Sequence, residues 1–90
     1  MPRYLIEQTF PDGFNIPANA EGAALCLAIK NNDALDGVTW IHSYVTLDKR
    51  KAFCLCDAPT PEAVRRAALR NDLPVDRITE VRLFDPNFYL

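Results

Sequence analysis

Residues 38–46 read Val-Thr-Trp-Ile-His-Ser-Tyr-Val-Thr, and this run of β-branched and aromatic residues is the strongest strand signal in the chain. Residues 47–50 predict a short turn, and residues 51–57 (Lys-Ala-Phe-Cys-Leu-Cys-Asp) predict the returning strand. The two runs together predict a β-hairpin at the centre of the chain.

The hairpin is flanked on each side by one strand and one helix. Before it, residues 3–9 predict a strand and residues 20–35 predict a helix of small residues. After it, residues 61–71 predict a second helix with Thr60 as its N-cap, and residues 78–84 predict the last strand. The order β-α-β-β-α-β is that of an α+β, ferredoxin-like fold. Right-handed crossovers then give a four-stranded antiparallel sheet of order 4-1-3-2, with both helices on one face.

The composition predicts a single globular domain over residues 1–90, because 49% of the residues are hydrophobic, 24% are charged and the net charge is -2. No apolar run reaches the roughly 18 residues of a membrane span, so we expect no membrane association. Acids are interleaved with the bases, so we expect no nucleic-acid partner. The first residues lack the apolar segment of a secretory signal, and the odd cysteine count of three points to a reducing, cytoplasmic setting.

The hairpin also predicts which side chains share a face of the sheet. A four-residue turn sets Tyr44 opposite Phe53, His42 opposite Leu55, and Trp40 opposite Asp57. This set is large and aromatic, so we assign it to the open face that the helices leave uncovered. The reverse set is small and mostly apolar; it includes Ser43 opposite Cys54, which suits packing under the helices.

We assign the faces of the first and last strands from the charged residues that they carry. Glu7 lies in the middle of the first strand, and a buried, unpaired carboxylate is heavily penalised, so we place it on the open face. In the last strand we place Val81 and Leu83 inward and Glu80 and Arg82 outward. The predicted open face therefore carries a contiguous patch that is typical of an interface, made of Trp40, His42, Tyr44, Phe53 and Leu55, with Glu7 and Arg82 beside them. We expect a homodimer that forms through this face.

His42 is the single histidine, the residue type that serves both metal ligation and acid–base chemistry near neutral pH. It could equally be a hydrogen-bonded interface residue. In the predicted sheet Glu7 lies two strand spacings from His42, about 9.6 Å between backbones. Four or more ligands are usual for nickel or zinc, so a second chain, Tyr44 or a cysteine would have to complete the set. Cys54 can join only if it does not point under the helices.

The motif Trp40-Ile41-His42-Ser43-Tyr44-Val45, the Cys54 strand, and the Ala58-Pro59-x-x-Glu62-Ala63-Val64-Arg65 segment resemble a bacterial family of small ferredoxin-like proteins known for nickel binding. The resemblance extends over nearly the whole chain. It implies a dimer and a site for nickel or another divalent transition metal, and it leaves open which matching residues touch the metal. The matching positions are Glu7, Trp40, His42, Ser43, Tyr44 and Cys54.

Three functions remain open on the sequence alone. The first is a metal-binding protein whose candidate ligands are His42, Glu7, Tyr44 and Cys54. The second is a dimeric α+β-barrel enzyme or ligand-binding protein, in which the open face forms a pocket for a small molecule with His42, Tyr44 and Glu7 as its polar groups. Trp40, Phe53, Leu55 and Arg82 would line either this pocket or the dimer interface. The third is a plain dimerisation module, in which the open face is only an interface.

Overall fold

The computed structural model of the chain describes residues 1–89, and its helices and strands alternate in the predicted order. The sheet is antiparallel throughout, with the order β2-β3-β1-β4, which is the predicted order read from the other edge. The α+β, ferredoxin-like prediction is therefore confirmed. The elements are β1 (Arg3–Thr9), α1 (Ala20–Ala34), β2 (Thr39–Val45), β3 (Lys51–Asp57), α2 (Pro61–Arg70), β4 (Arg77–Val81) and a short 3₁₀ turn (Pro86–Tyr89).

Both helices begin at side chains that satisfy backbone N–H groups left without an intrahelical partner. The Asn19 side-chain oxygen accepts from the Gly22 N–H at 3.1 Å, and the Thr60 hydroxyl accepts from the Ala63 N–H at the same distance. Pro61 follows as the first residue of α2, where its missing N–H is not needed. The helix starts are thus determined locally.

The core lies between the sheet and α2, and α1 contributes little to it. Within α1 only Gly22 and Asp33 are buried, and its leucines Leu25 and Leu27 are exposed. No helix within residues 1–89 combines the length and the apolar character needed to cross a membrane. The buried apolar cluster consists of Tyr4, Ile6, Val38, Cys56, Ala58, Ala63, Val64 and Ala67.

The face predicted for β1 is confirmed. Tyr4, Ile6 and Gln8 are buried under the helices, so alternation along the strand turns Glu7 to the open face. In the hairpin, His42 pairs with Leu55 and Tyr44 pairs with Phe53, as the turn length predicted.

The face predicted for Trp40 is wrong, because β2 contains a register shift between Trp40 and His42. The irregularity accommodates one extra residue, so Trp40 pairs with Cys56 instead of the expected Asp57. Cys56 is fully buried on the helix side, and a one-residue offset moves a side chain to the opposite face. Trp40 therefore lies on the covered face of the sheet.

The faces predicted for the last strand are also wrong. β4 pairs Ile78 with Ile6, which places Ile78 over the core and sets Glu80 opposite buried Tyr4. Val81 pairs with Arg3 and so lies on the open-face side. The strand ends at Val81, so Arg82 lies beyond it and is exposed at that end of the sheet. In this register the partly buried Ile78 packs against the core and takes the place predicted for Val81.

Candidate functional site

Two rows of side chains cross the open face of the sheet. Opposed residues in antiparallel strands share a face, so the pairings place Leu5, Leu55 and His42 in one row. The neighbouring row holds Glu7, Phe53 and Tyr44. Each row extends from the edge strand β4, through its Thr79 or Arg77, to the edge strand β2. His42, Tyr44, Glu7, Phe53 and Leu55 therefore share one surface, and Trp40 and Cys54 do not belong to it.

The His42 imidazole is the accessible nitrogen donor of this surface. It is exposed, and its ring meets the Tyr44 ring edge-on at 5.2 Å between centroids. Among residues 1–89 no hydrogen bond reaches either ring nitrogen of His42. Tyr44 is itself 65% exposed. Both residues lie on the edge strand, where a metal ion, a small molecule or a second protein can approach them.

Glu7 lies too far from His42 to share one ion with it within a single chain. The two residues are two strands and two positions apart, which corresponds to roughly 12 Å between backbones. The Glu7 carboxylate also faces Arg77, whose Nε lies 4.0 Å away. Glu7 therefore has a cationic neighbour within its own chain.

Cys54 lies on the covered face, at the centre of a buried chain of hydrogen bonds. Trp40 Nε1 donates to Ser43 Oγ at 2.9 Å, and Ser43 Oγ donates to Cys54 Sγ at 2.9 Å. The Cys54 thiol in turn donates to Gln8 Oε1 at 3.1 Å. This chain satisfies the polar groups of four residues beneath the helices, so Trp40 and Cys54 have structural partners on that side.

The buried thiols are poor candidates for metal ligands. Burial raises the pKa of Cys54, and it raises the pKa of Cys56 to about 12. Metals bind the thiolate, so these shifts oppose ligation at neutral pH. The candidate ligand set of His42, Glu7, Tyr44 and Cys54 therefore does not come together as one cluster: Cys54 is behind the sheet and Glu7 is distant.

No three histidine, cysteine or acidic side chains within residues 1–89 gather in a way that could hold a metal ion. One copy of the chain therefore offers at most part of a coordination sphere. His42 is a suitable donor for nickel, since imidazole is a preferred ligand of that ion. The Tyr44 ring beside it brings a phenol oxygen to the same edge of the sheet.

Two cavities lie on the helix side of the sheet. One is a partly open cavity of about 60 Å³, lined by Ile29, Val64 and Cys54 among others. It is well below the roughly 150 Å³ that accommodates a benzene molecule. The other is an open groove of about 580 Å³ between the start of α1 and β2, lined in part by Cys26 and His42. Of these two, the groove has the volume of a site for a small organic molecule.

The sequence analysis did not identify Asp33, whose carboxyl group is buried near the end of α1. It is 7% exposed, and burial raises its pKa to about 6. Asn71 Nδ2 donates to Asp33 Oδ1 at 2.9 Å, which ties the ends of the two helices together. The helical spacing of positions 22, 26, 29 and 33 along one side of α1 was the available signal.

Comparison with known proteins gives one family and one solved structure. Residues 4–81 match the family model described as nickel responsive protein SCO4226-like. The crystal structure of SCO4226 from Streptomyces coelicolor A3(2) superposes with a TM-score of 0.73 at 19% sequence identity, covering 92% of this chain and 99% of that one. At this identity the superposition establishes the fold alone. No curated protein matches the chain.

Proposed function

Because the chain belongs to the SCO4226-like family of nickel-responsive proteins, we propose that it is a nickel-binding protein that works as a homodimer and holds the metal on or near the open face. The observation that supports this most directly is His42, an exposed imidazole without a hydrogen-bond partner among residues 1–89. A histidine with a structural role usually has a hydrogen-bonded ring. His42 instead keeps its ring nitrogens available.

Two features support the dimer: the small number of metal-donor side chains in one chain, and the apolar surface around His42. A single chain assembles fewer than three metal donors within residues 1–89, whereas nickel takes four or more. In a two-fold dimer the same patch of both copies meets, so each donor occurs twice. Phe53 and Leu55 form the partly buried apolar part of this patch, and Tyr44 forms its exposed part. We therefore place two copies of His42 and Tyr44 at a shared site, with water completing the coordination.

Isothermal titration calorimetry with nickel tests this function. We expect His42→Ala to weaken nickel binding at least about tenfold, since removing one metal ligand commonly costs more than 1.4 kcal/mol. Cys54→Ser is the matched control. Cysteine is a common metal ligand, but Cys54 lies on the covered face of the sheet, so its replacement should leave the nickel affinity unchanged. Equal affinities of the wild type and His42→Ala would exclude His42 from the site. Sedimentation at tens of micromolar checks the dimer, and a monomeric mass contradicts it.

The groove beside His42 favours a second candidate function, the binding of a small molecule. Its volume of about 580 Å³ falls in the range of ligand sites, and Trp40, the only tryptophan, lies along it. Titration with 1-anilinonaphthalene-8-sulfonate, followed through Trp40 fluorescence, tests it. Ala23→Phe should reduce binding of the probe by filling the groove, and equal binding by the variant contradicts this candidate. If neither nickel nor the probe binds, only the dimerisation module remains.

We place the protein in the cytoplasm. Cys26, Cys54 and Cys56 are all free thiols, which is the state that a reducing compartment maintains. Alkylation of the protein in freshly lysed cells should modify Cys26, the more accessible thiol on α1. A disulfide through Cys26 in such samples would contradict this placement.

A further inference from the structure

The chain continues past the sheet in a segment that exposes large apolar side chains. This segment, residues 82–89, follows β4 and is called the C-terminal arm here; it lies beyond residues 4–81, the part that matches the family. Leu83 is 68% exposed, Phe84 is 75% exposed and Phe88 is 72% exposed. Three such side chains close together in sequence are typical of a contact surface.

The arm has local structure that fixes its shape. The Asp85 carboxylate accepts from the Asn87 N–H at 2.9 Å, and the Asp85 carbonyl accepts from the Phe88 N–H at 3.0 Å. These bonds close the 3₁₀ turn Pro86–Tyr89, which presents Phe88 to solvent. Because the turn is already formed, less conformational entropy is lost when the arm binds a partner.

The arm leaves the sheet next to the open face, and its large apolar side chains stay largely exposed in its own chain. Val81, the last residue of β4, lies on the open-face side opposite Arg3. Tyr44, at the other edge of this face, is still 65% exposed. Leu83, Phe84 and Phe88 of the arm and Tyr44 of the open face are thus all largely exposed within one copy.

The size of the arm fits a dimer contact. Phenylalanine side chains bury roughly 150–250 Å² each, so the exposed parts of the three arm side chains amount to about 400 Å². Two arms and the two surfaces that they cover would then bury a total area of about 1,600 Å², which is the size of a standard stable interface. A single arm packed on its own chain would bury about half of that.

We propose that the C-terminal arm of each copy packs on the open face of a second copy and closes the dimer. This rests on the homodimer of the proposed function and adds the segment that holds it together. Leu55 and Phe53, on the central strand β3 of the open face, receive the arm's phenylalanines. His42 and Tyr44, on the edge strand β2, are left for the shared site.

Sedimentation equilibrium of an arm variant tests the proposal. We expect Phe84→Ser combined with Phe88→Ser to raise the dimer Kd about 100-fold, which is the effect of removing a central aromatic contact. Leu47→Ser combined with Leu69→Ser is the matched control, because it removes two exposed apolar side chains from the hairpin turn and from α2. The control should leave the Kd unchanged.

The single variant Phe88→Ser, with circular dichroism and urea unfolding, separates dimerisation from folding. It should raise the Kd at least about tenfold while the folded spectrum is retained. A wild-type Kd in both arm variants overturns the proposal and leaves the homodimer itself intact. A monomeric wild type at tens of micromolar would overturn the proposed homodimer and the arm contact together.

Discussion

Asp33→Asn should make the protein more stable at neutral pH and remove much of its pH dependence above pH 4.5. Asp33 is buried near the end of α1, and its pKa rises from 3.8 to about 6, first of all because burial disfavours the charged carboxylate. Asparagine keeps the oxygen that accepts from Asn71 Nδ2 and cannot ionise. The variant therefore removes the cost of a buried charge and keeps the contact between the helices.

The direction of the pH effect follows from the two pKa values. An acid with a raised pKa in the folded state binds its proton more tightly there than in the unfolded chain, so ionisation favours unfolding. The stabilising effect of protonated Asp33 is complete below pH 3.8 and is lost as the pH rises towards 6. Above pH 6 the total loss is about 3 kcal/mol at most, since each pKa unit corresponds to about 1.4 kcal/mol.

Other carboxylates act mainly in a different pH window. Arg70 and Arg66 lower the pKa of Asp36, and Arg3 lowers the pKa of Asp57. Groups of this kind stabilise the fold above their unfolded pKa near 3.8, and they lose that contribution as the pH falls below it. The interval from pH 4.5 to 7.5 therefore isolates Asp33.

Urea unfolding followed by Trp40 fluorescence measures the effect at a fixed protein concentration. Between pH 4.5 and 7.5 we expect the stability advantage of Asp33→Asn over the wild type to grow by about 2 kcal/mol. In thermal unfolding this is a difference of roughly 10 °C in Tm for a domain of this size. Asp12→Asn, at an exposed turn, should follow the wild-type curve. Parallel pH curves for the wild type and Asp33→Asn would refute the reasoning.

Two substitutions test the packing around α1 and the buried hydrogen bonds. Gly22→Ala should destabilise the fold by about 1–3 kcal/mol in urea unfolding, because an added Cβ would lie 1.6 Å from the Pro17 carbonyl oxygen. The exposed control Ala28→Ser should change stability by less than about 0.7 kcal/mol, and an equal loss in both would rule out the close approach as the cause. Ser43→Ala should cost about 1–3 kcal/mol and shift Trp40 fluorescence, because it leaves the indole N–H without its acceptor. Unchanged stability and an unchanged spectrum would contradict a structural role for that chain of hydrogen bonds.

Much of the fold could be predicted from local pattern. The alternation of residues 38–46 and 51–57 set the hairpin, and capping residues such as Thr60 set the helix starts. The pairing of His42 and Tyr44 followed from the turn length, and their open-face position followed from the large, aromatic character of that set. Each of these depends on neighbours close in the chain, so one sequence contains the information.

The errors lie where distant parts of the chain compete. The β2 register shift turned Trp40 under the helices, where its N–H reaches Ser43, and the preference for Ile78 over Val81 in the core shifted the faces of β4. The buried state of Asp33 had only the helical spacing along α1 as a signal, and it depends on α2 lying beside α1 with Asn71 in reach. All of these choices are made by contacts between distant parts of the chain.

The sequence by itself determined the order of elements, the strand order and the presence of a lone exposed histidine beside an aromatic patch. These follow from the two-residue alternation of side chains along a strand and from the right-handed sense of the connections between strands. Both are properties of short stretches of the chain. Only the tertiary structure decided that Trp40 joins Cys54 behind the sheet from His42, in a chain of hydrogen bonds with Ser43 and Gln8. The reason is that a sheet has two faces. The burial of the covered face as a whole decides which side chains share a face, and no single residue decides it.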